Sequence, residues 1–228
     1  MKKKFSLIEL LIVMAVLLIL ASILQPSLKS VMNSARTLQC LNNIKGLGSA
    51  VSLYQHDNQG NFPTIQHWGP ISGGYGNTRF YGGFTKGPKD RPLNTYLNED
   101  PTVSECPADK GDGWLEARVN QDIYDCYDNY GTSYLGQYAG DIFGVKHVFG
   151  RIGQPVNLHD LSSLSNKLVL GDWVWHPNRL ISMPESRWHS EDSREYNMLF
   201  GDGHGELFDF TLNYEKSWLP ANPKNRFW

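Results

Sequence analysis

Four side chains in the last third of the chain could gather round a metal ion: His176, His189, Asp202 and His204. Imidazole and carboxylate are ligands suited to zinc and its neighbours. Asp202 and His204, however, flank Gly203 in a Gly-Asp-Gly-His run, where turn chemistry alone calls for polar residues. The expectation is therefore no metal site, with His189, Asp202 and His204 as the residues from which one would be built. Asp109-Lys110-Gly111-Asp112-Gly113 alternates acid and glycine like a calcium loop. It lacks the twelve-residue ligand pattern and its distal Glu, and reads as a solvated turn. Cys40, Cys106 and Cys126 include no C-x-x-C pair, which argues against a structural zinc site of cysteines. In an oxidising compartment Cys106 and Cys126 could form a disulfide worth roughly 3 kcal/mol; the alternative is two separate thiols. Cys40 is then left over as a small residue on a helix flank. No nucleophile elbow, P-loop, H-E-x-x-H or dinucleotide motif is present, so no catalytic residue, cofactor or enzyme activity is expected.

One further titratable group stands out by its surroundings. From Leu7 to Leu24 the only charge is Glu9, and the only other polar side chain is Ser22. A carboxylate inside a membrane-spanning helix costs several kcal/mol unless it is paired. Either Glu9 has a partner or it lies near the interface and reaches the headgroups.

The elements that carry these residues divide the chain in two. Lys2, Lys3 and Lys4 precede an apolar run of 20 positions, Phe5 to Leu24. That length suits a single membrane span with the lysines on the cytoplasmic side. A cleaved secretory signal could take Leu10 to Leu24 as its core, but no clear A-x-A cleavage site follows. Past Pro26, which allows a bend, Leu28, Val31, Ala35, Leu38, Leu41, Ile44, Leu47, Val51 and Tyr54 recur every three or four residues. The pattern predicts an amphipathic helix continuing to about residue 58 and stopped by the Gly and Pro of 57–63. Gly46 and Gly48 would let a sheet approach closely.

The remainder is polar and rich in Gly and aromatics. Removing Lys2, Lys3 and Lys4 from the 21 basic residues leaves 18 against 23 acidic ones, so the body is mildly acidic and offers nucleic acid no basic field. Residues 63–90, with Trp68, Tyr75, Phe80, Tyr81 and Phe84, read as long loops that pack on the domain or, alternatively, stack on sugars. Residues 92–96 suggest a helical turn, 103–109 a strand end and turn, and 129–134 a strand by alternation. Lys167 to Asp172 and a hairpin over 197–210, turned at Asp202-Gly203, supply three strands to cover the helix. The fold class is thus α+β: a long N-terminal helix, membrane-spanning in its first half, packed on a small antiparallel sheet with long loops.

Lys4-Phe5-Ser6-Leu7-Ile8-Glu9-Leu10-Leu11-Ile12-Val13 resembles the N-terminal cleavage and methylation motif of type IV pilin-like and pseudopilin proteins. The resemblance implies cleavage between Lys4 and Phe5 by a prepilin peptidase and N-methylation of Phe5. It also implies assembly through Phe5 and Glu9, the Glu at the fifth mature position. The family usually has Gly before the cut, where this chain has Lys4. His189 followed by Asn197 to His204 is similar to the H-x9-DG element of pilin-like proteins from planctomycete- and lentisphaera-type bacteria. Twelve residues, not nine, separate His189 from Asp202 here. Cys106 to Asp109 and Tyr54 to Pro63 are similar to that family too.

The resemblance implies residues 1–4 as leader, 5–25 as membrane and filament-core helix, 26–59 as its amphipathic continuation and 60–228 as an exported body. It implies a single-pass protein of the inner membrane, N-terminus cytoplasmic and body periplasmic, or on a cell-surface filament. Its partners would be the peptidase, other pilin or pseudopilin subunits and membrane lipid. Two other readings remain open: a membrane-tethered domain that holds polysaccharide without polymerising, and an exported metal-dependent hydrolase.

Overall fold

The computed structural model describes residues 6–210 except 70, 79–80, 82–86, 114, 117–121, 139–144, 162, 176–186 and 191–193. Helix α1 runs unbroken from Leu7 to Asp57, 51 residues, through Pro26. At 1.5 Å per residue it is about 76 Å long. A capping box starts it: the Ser6 hydroxyl accepts the Ile8 N–H, and Glu9 Oε2 accepts the Ser6 N–H at 2.8 Å. Asn58 ends it by donating its N–H to Tyr54 and Gln55 carbonyls, after which Gln59 and Gly60 turn the chain with positive φ.

The two halves of α1 have different surroundings. The first half is long and apolar enough to cross a membrane, and none of that stretch is buried by the rest of the chain. In the second half Cys40, Ile44, Leu47, Gly48, Val51 and Gln55 form the buried stripe. The expected stripe began at Leu28. Leu28, Val31 and Leu38 are exposed, so the body covers α1 only from about Cys40 onward.

The cover is a four-stranded antiparallel sheet in the order β2 (Tyr134–Gly136), β4 (Leu168–Asp172), β5 (Glu195–Phe200), β6 (Gly205–Asp209). β1 (Thr64–Ile65) and β3 (Gly150–Arg151) make a small parallel pair. Strands β5 and β6 form the expected hairpin, with Gly203 supplying the positive φ of its turn. α1 packs on β5 and β6 and on two short 3-10 segments, Asn94–Leu97 and Pro101–Ser104. At Gly48 the helix lies tight against the sheet: a Cβ built there would lie 2.6 Å from Leu199 Cδ1.

On the far face of the sheet an aromatic core gathers Trp173, Trp175, Tyr196, Phe208 and Phe210. Tyr130 stacks on Trp173 at 4.1 Å. Arg91, 2% exposed, ties the loops to this core by donating to the Ser72 and Tyr130 carbonyls. Burial lowers its pKa to about 10.

Two local expectations are corrected. The 129–134 segment is not a strand: Asp125 caps a single helical turn, α2 (Cys126–Tyr130), Gly131 ends it in the left-handed region, and β2 begins only at Tyr134. Capping at one end and glycine at the other outweigh alternation over so short a run. Likewise the strand end placed at 103–109 is the 3-10 segment Pro101–Ser104, capped by Asp100, followed by a turn.

Candidate functional site

Where α1 crosses the sheet, one imidazole collects the polar groups of four elements. The register that sets Gly171 opposite Met198 brings Asp172, the last residue of β4, beside Asn197 of β5. The Asn197 N–H donates to Asp172 Oδ2 at 2.6 Å. Trp188, buried and donating its indole N–H to the Gly111 carbonyl, anchors the segment that delivers His189. The His189 and Asp172 side chains are both wholly enclosed, with Nε2 2.9 Å from Oδ2. On the other ring edge Nδ1 lies 3.1 Å from Thr37 Oγ1 of α1. Cys106 Sγ is 4.0 Å from Nε2, and Asn197 Nδ2 is 3.0 Å from it.

The hydrogen bonds assign the tautomer. Thr37 Oγ1 donates its one proton to the Asn33 carbonyl, so towards His189 it can only accept, and Nδ1 must hold a proton. On the opposite edge two lone-pair atoms, Nε2 and Asp172 Oδ2, face each other at 2.9 Å. One proton shared between them makes this contact a hydrogen bond. On the same side the Asn197 Nδ2 donates to the Thr37 carbonyl at 3.4 Å.

The disulfide lies at the same place. It joins Cys40 of α1 to Cys106, with 2.04 Å between the sulfurs and 4.9 Å between the Cα atoms. The Cys106–Cys126 pair that the sequence left possible is therefore not the one formed. Cys126 opens α2 with its N–H on Asp109 Oδ2, which turns its thiol into the core as a free, buried group, and burial pushes that thiol well up. Cys106, held by Ser133 Oγ, faces α1 instead. The Tyr134 hydroxyl donates to the Cys40 carbonyl, and burial, with Asp172 next, holds that phenol in its neutral form.

The other residues singled out in the sequence go elsewhere. His204 Nδ1 binds Asp202 Oδ1 at the exposed hairpin turn and its ring stacks on Phe200, so neither joins His189. His176, Lys4 and Phe5 lie outside the described residues. The acid-glycine loop is not solvated. Asp109 is partly exposed as a residue, yet its carboxylate is enclosed and accepts the Gly111, Cys126 and Tyr127 N–H groups. Burial first, and Asp125 second, push its pKa up to about 7 against the lowering effect of those bonds. Asp112 accepts the Leu115 N–H, the Trp173 indole N–H and the Tyr130 hydroxyl. Both carboxylates are committed to the fold. Tyr81 packs on Tyr130 and Trp173 and Trp68 on Tyr138, so these loop aromatics are part of the domain, while Tyr75 is exposed.

No family model, curated protein or solved structure matches this chain.

Among the described residues, one trio of ligand-type side chains brings its ligand atoms within 4.8 Å of one another: Cys40, Cys106 and His189. A groove of about 660 Å³ lined by Pro26, Lys29, Asn33, Thr37 and Leu207 reaches His189 from the helix side. Sequence reasoning picked out His189 and missed Asp172, Asn197, Thr37 and the role of Cys40. Two weak signals existed: an acid closing the apolar run of β4, and a lone Asn on a strand otherwise buried in apolar residues.

Proposed function

We propose that the chain is a membrane-anchored type IV pilin-like or pseudopilin-like subunit that assembles through its N-terminal helix. The observation that carries this reading is the division of α1. Its apolar first half is bare of any cover from its own chain, and its second half is fixed to a small antiparallel sheet without a break between them. Bare apolar surface of that extent has to meet lipid or other copies of itself. Glu9 stands at the membrane-entry end of that surface.

Cleavage between Lys4 and Phe5 by a prepilin peptidase would leave a cationic amine one turn from Glu9, in the reach of a neighbouring subunit's carboxylate. Such a pair, desolvated among apolar side chains, is favourable only when its geometry is matched, and so fixes axial register between subunits. The apolar helices supply area and the charge pair supplies specificity. The body, single-pass and outside the inner membrane, would form the outer surface of the assembly.

Glu9 also caps its own helix through Ser6, and the two roles can be separated. Glu9→Gln keeps an oxygen for the Ser6 N–H and removes the charge; Glu9→Ala removes both. On this reading both variants insert into membrane and neither assembles, as read by cross-linking and sedimentation of native membranes. Assembly restored by Gln would reduce Glu9 to a helix cap and remove the intersubunit pair. Mass spectrometry of the native N-terminus should find N-methylated Phe5. A mature chain that keeps Met1 to Lys4, isolated only as monomers, would end the polymer reading and leave a tethered domain.

A further inference from the structure

We propose that the dithiol form of this protein binds one zinc-class divalent ion through Cys40, Cys106 and His189, with the Asp172 carboxylate closing the fourth position. Disulfide and metal would then be alternative states of one site.

Three independent features converge on it. The ligand atoms of Cys40, Cys106 and His189 already lie within 4.8 Å of one another, and Cys106 Sγ is 4.0 Å from Nε2. Opening the disulfide lets the sulfurs move apart to the spacing of a tetrahedral site, with metal–sulfur distances near about 2.3 Å and metal–nitrogen near about 2.0 Å. Second, the imidazole is set up as a ligand. The chain from Nδ1 through Thr37 Oγ1 to the Asn33 carbonyl puts the ring proton on Nδ1 and turns Nε2 toward the sulfurs. Metal-binding histidines are fixed by this kind of outer hydrogen bond. Third, a buried carboxylate stands beside the imidazole with one oxygen unused. Nε2 and Asp172 Oδ2 face each other at 2.9 Å, and Asp172 Oδ1 is buried without a partner. A divalent ion in place of the proton that Nε2 and Asp172 share satisfies the nitrogen and the carboxylate together. Thiolate, imidazole and carboxylate in one enclosed site suit zinc better than calcium or magnesium.

The chemistry balances with a dithiol reductant as the other reactant. The protein disulfide and the small dithiol exchange, giving two protein thiols and a small cyclic disulfide; two electrons and two protons pass to Cys40 and Cys106. Metal binding then releases both thiol protons and the one shared by Nε2 and Asp172. Oxidation by a small disulfide runs the exchange backwards and expels the ion.

The test uses the full chain in mild detergent, free of chelator, in disulfide form and after reduction and removal of reductant. Cobalt(II) is the probe, with zinc(II) as competitor. The dithiol form should take up one cobalt per chain with thiolate-to-cobalt charge-transfer absorption, zinc should displace it, and the disulfide form should show neither. His189→Gln should weaken binding about tenfold or more, while Cys126→Ser should leave it unchanged. A folded dithiol form without the charge-transfer band, or equal binding by both redox forms, would overturn the assignment. So would loss of binding in Cys126→Ser but not in His189→Gln. If reduction abolishes the near-ultraviolet dichroism of the buried tryptophans, zinc should restore it, and failure to do so is equally decisive against the site.

Discussion

Replacing both Cys40 and Cys106 by Ala should destabilise the body by about 4 kcal/mol. The figure follows from the sequence separation of 66 residues that the disulfide closes, through the loop entropy removed from the unfolded chain. Typical domains have only about 5–15 kcal/mol in total, so the variant should be marginal. Nothing comparable is expected from losing the sulfur atoms themselves, because alanine fills most of the volume of a small buried side chain. With a urea m-value of about 2 kcal/mol per molar, the midpoint should fall by about 2 M in the full chain held in mild detergent and chelator. Tryptophan fluorescence is the natural readout, since Trp173, Trp175 and Trp188 are buried. A non-reducing digest should give a Cys40–Cys106 peptide pair, and Cys126→Ser should leave that pair intact. A midpoint shift below about 0.5 M, or a Cys106–Cys126 pair in the digest, would show that α1 is not stapled to the body in the way described.

Two other perturbations test the packing and the buried charge. Gly48→Ala should be close to neutral, because about 1 kcal/mol of helix propensity offsets the push on Leu199, whose side chain can turn aside. Gly48→Leu should cost about 1–3 kcal/mol by overpacking the helix against β5, read as a fall in melting temperature. Asp109 binds its proton more tightly folded, at about 7, than unfolded, at about 4. Its contribution is complete below the unfolded value and is lost as pH rises through the folded one, so stability should decline from about pH 4 to pH 7. Asp109→Asn should flatten that slope in urea titrations at several pH values, and an unchanged slope would place its origin elsewhere.

What could be read from the sequence is what local pattern decides. The apolar run and the three-to-four residue spacing beyond it gave α1 to within two residues at its start and one at its end. Asp202-Gly203 marked the hairpin because a left-handed glycine is needed there and nowhere else nearby. Where two local signals competed, the sequence reading failed. The alternation of Asn129 to Tyr134 was real, but the Asp125 cap and Gly131 closed a helical turn over its first half. The candidate site failed for a different reason. Cys40 meets Cys106 only because the Pro101–Ser104 segment lies against α1, and His189 meets Asp172 only because Trp188 is fixed on the Gly111 carbonyl. These encounters depend on where elements far apart in the chain come to rest, and no spacing along the chain encodes that.

The place where they meet follows from the division of α1. Any load on the bare half of the helix would pass along it into the first turns that the body covers. Cys40 is the first fully buried residue along the helix, and Thr37 sits one turn before it. A covalent bond to Cys106, a hydrogen bond to His189 and the Asn197 contact with the Thr37 carbonyl all fall within that single turn. Apolar packing alone, as at Ile44 and Leu47, resists separation but not sliding or rotation of the helix in its groove. Directional bonds resist both. The polar cluster therefore lies at the one level where a load along the helix would first act on the sheet, and opening Cys40–Cys106 is the change that would free the helix to move there.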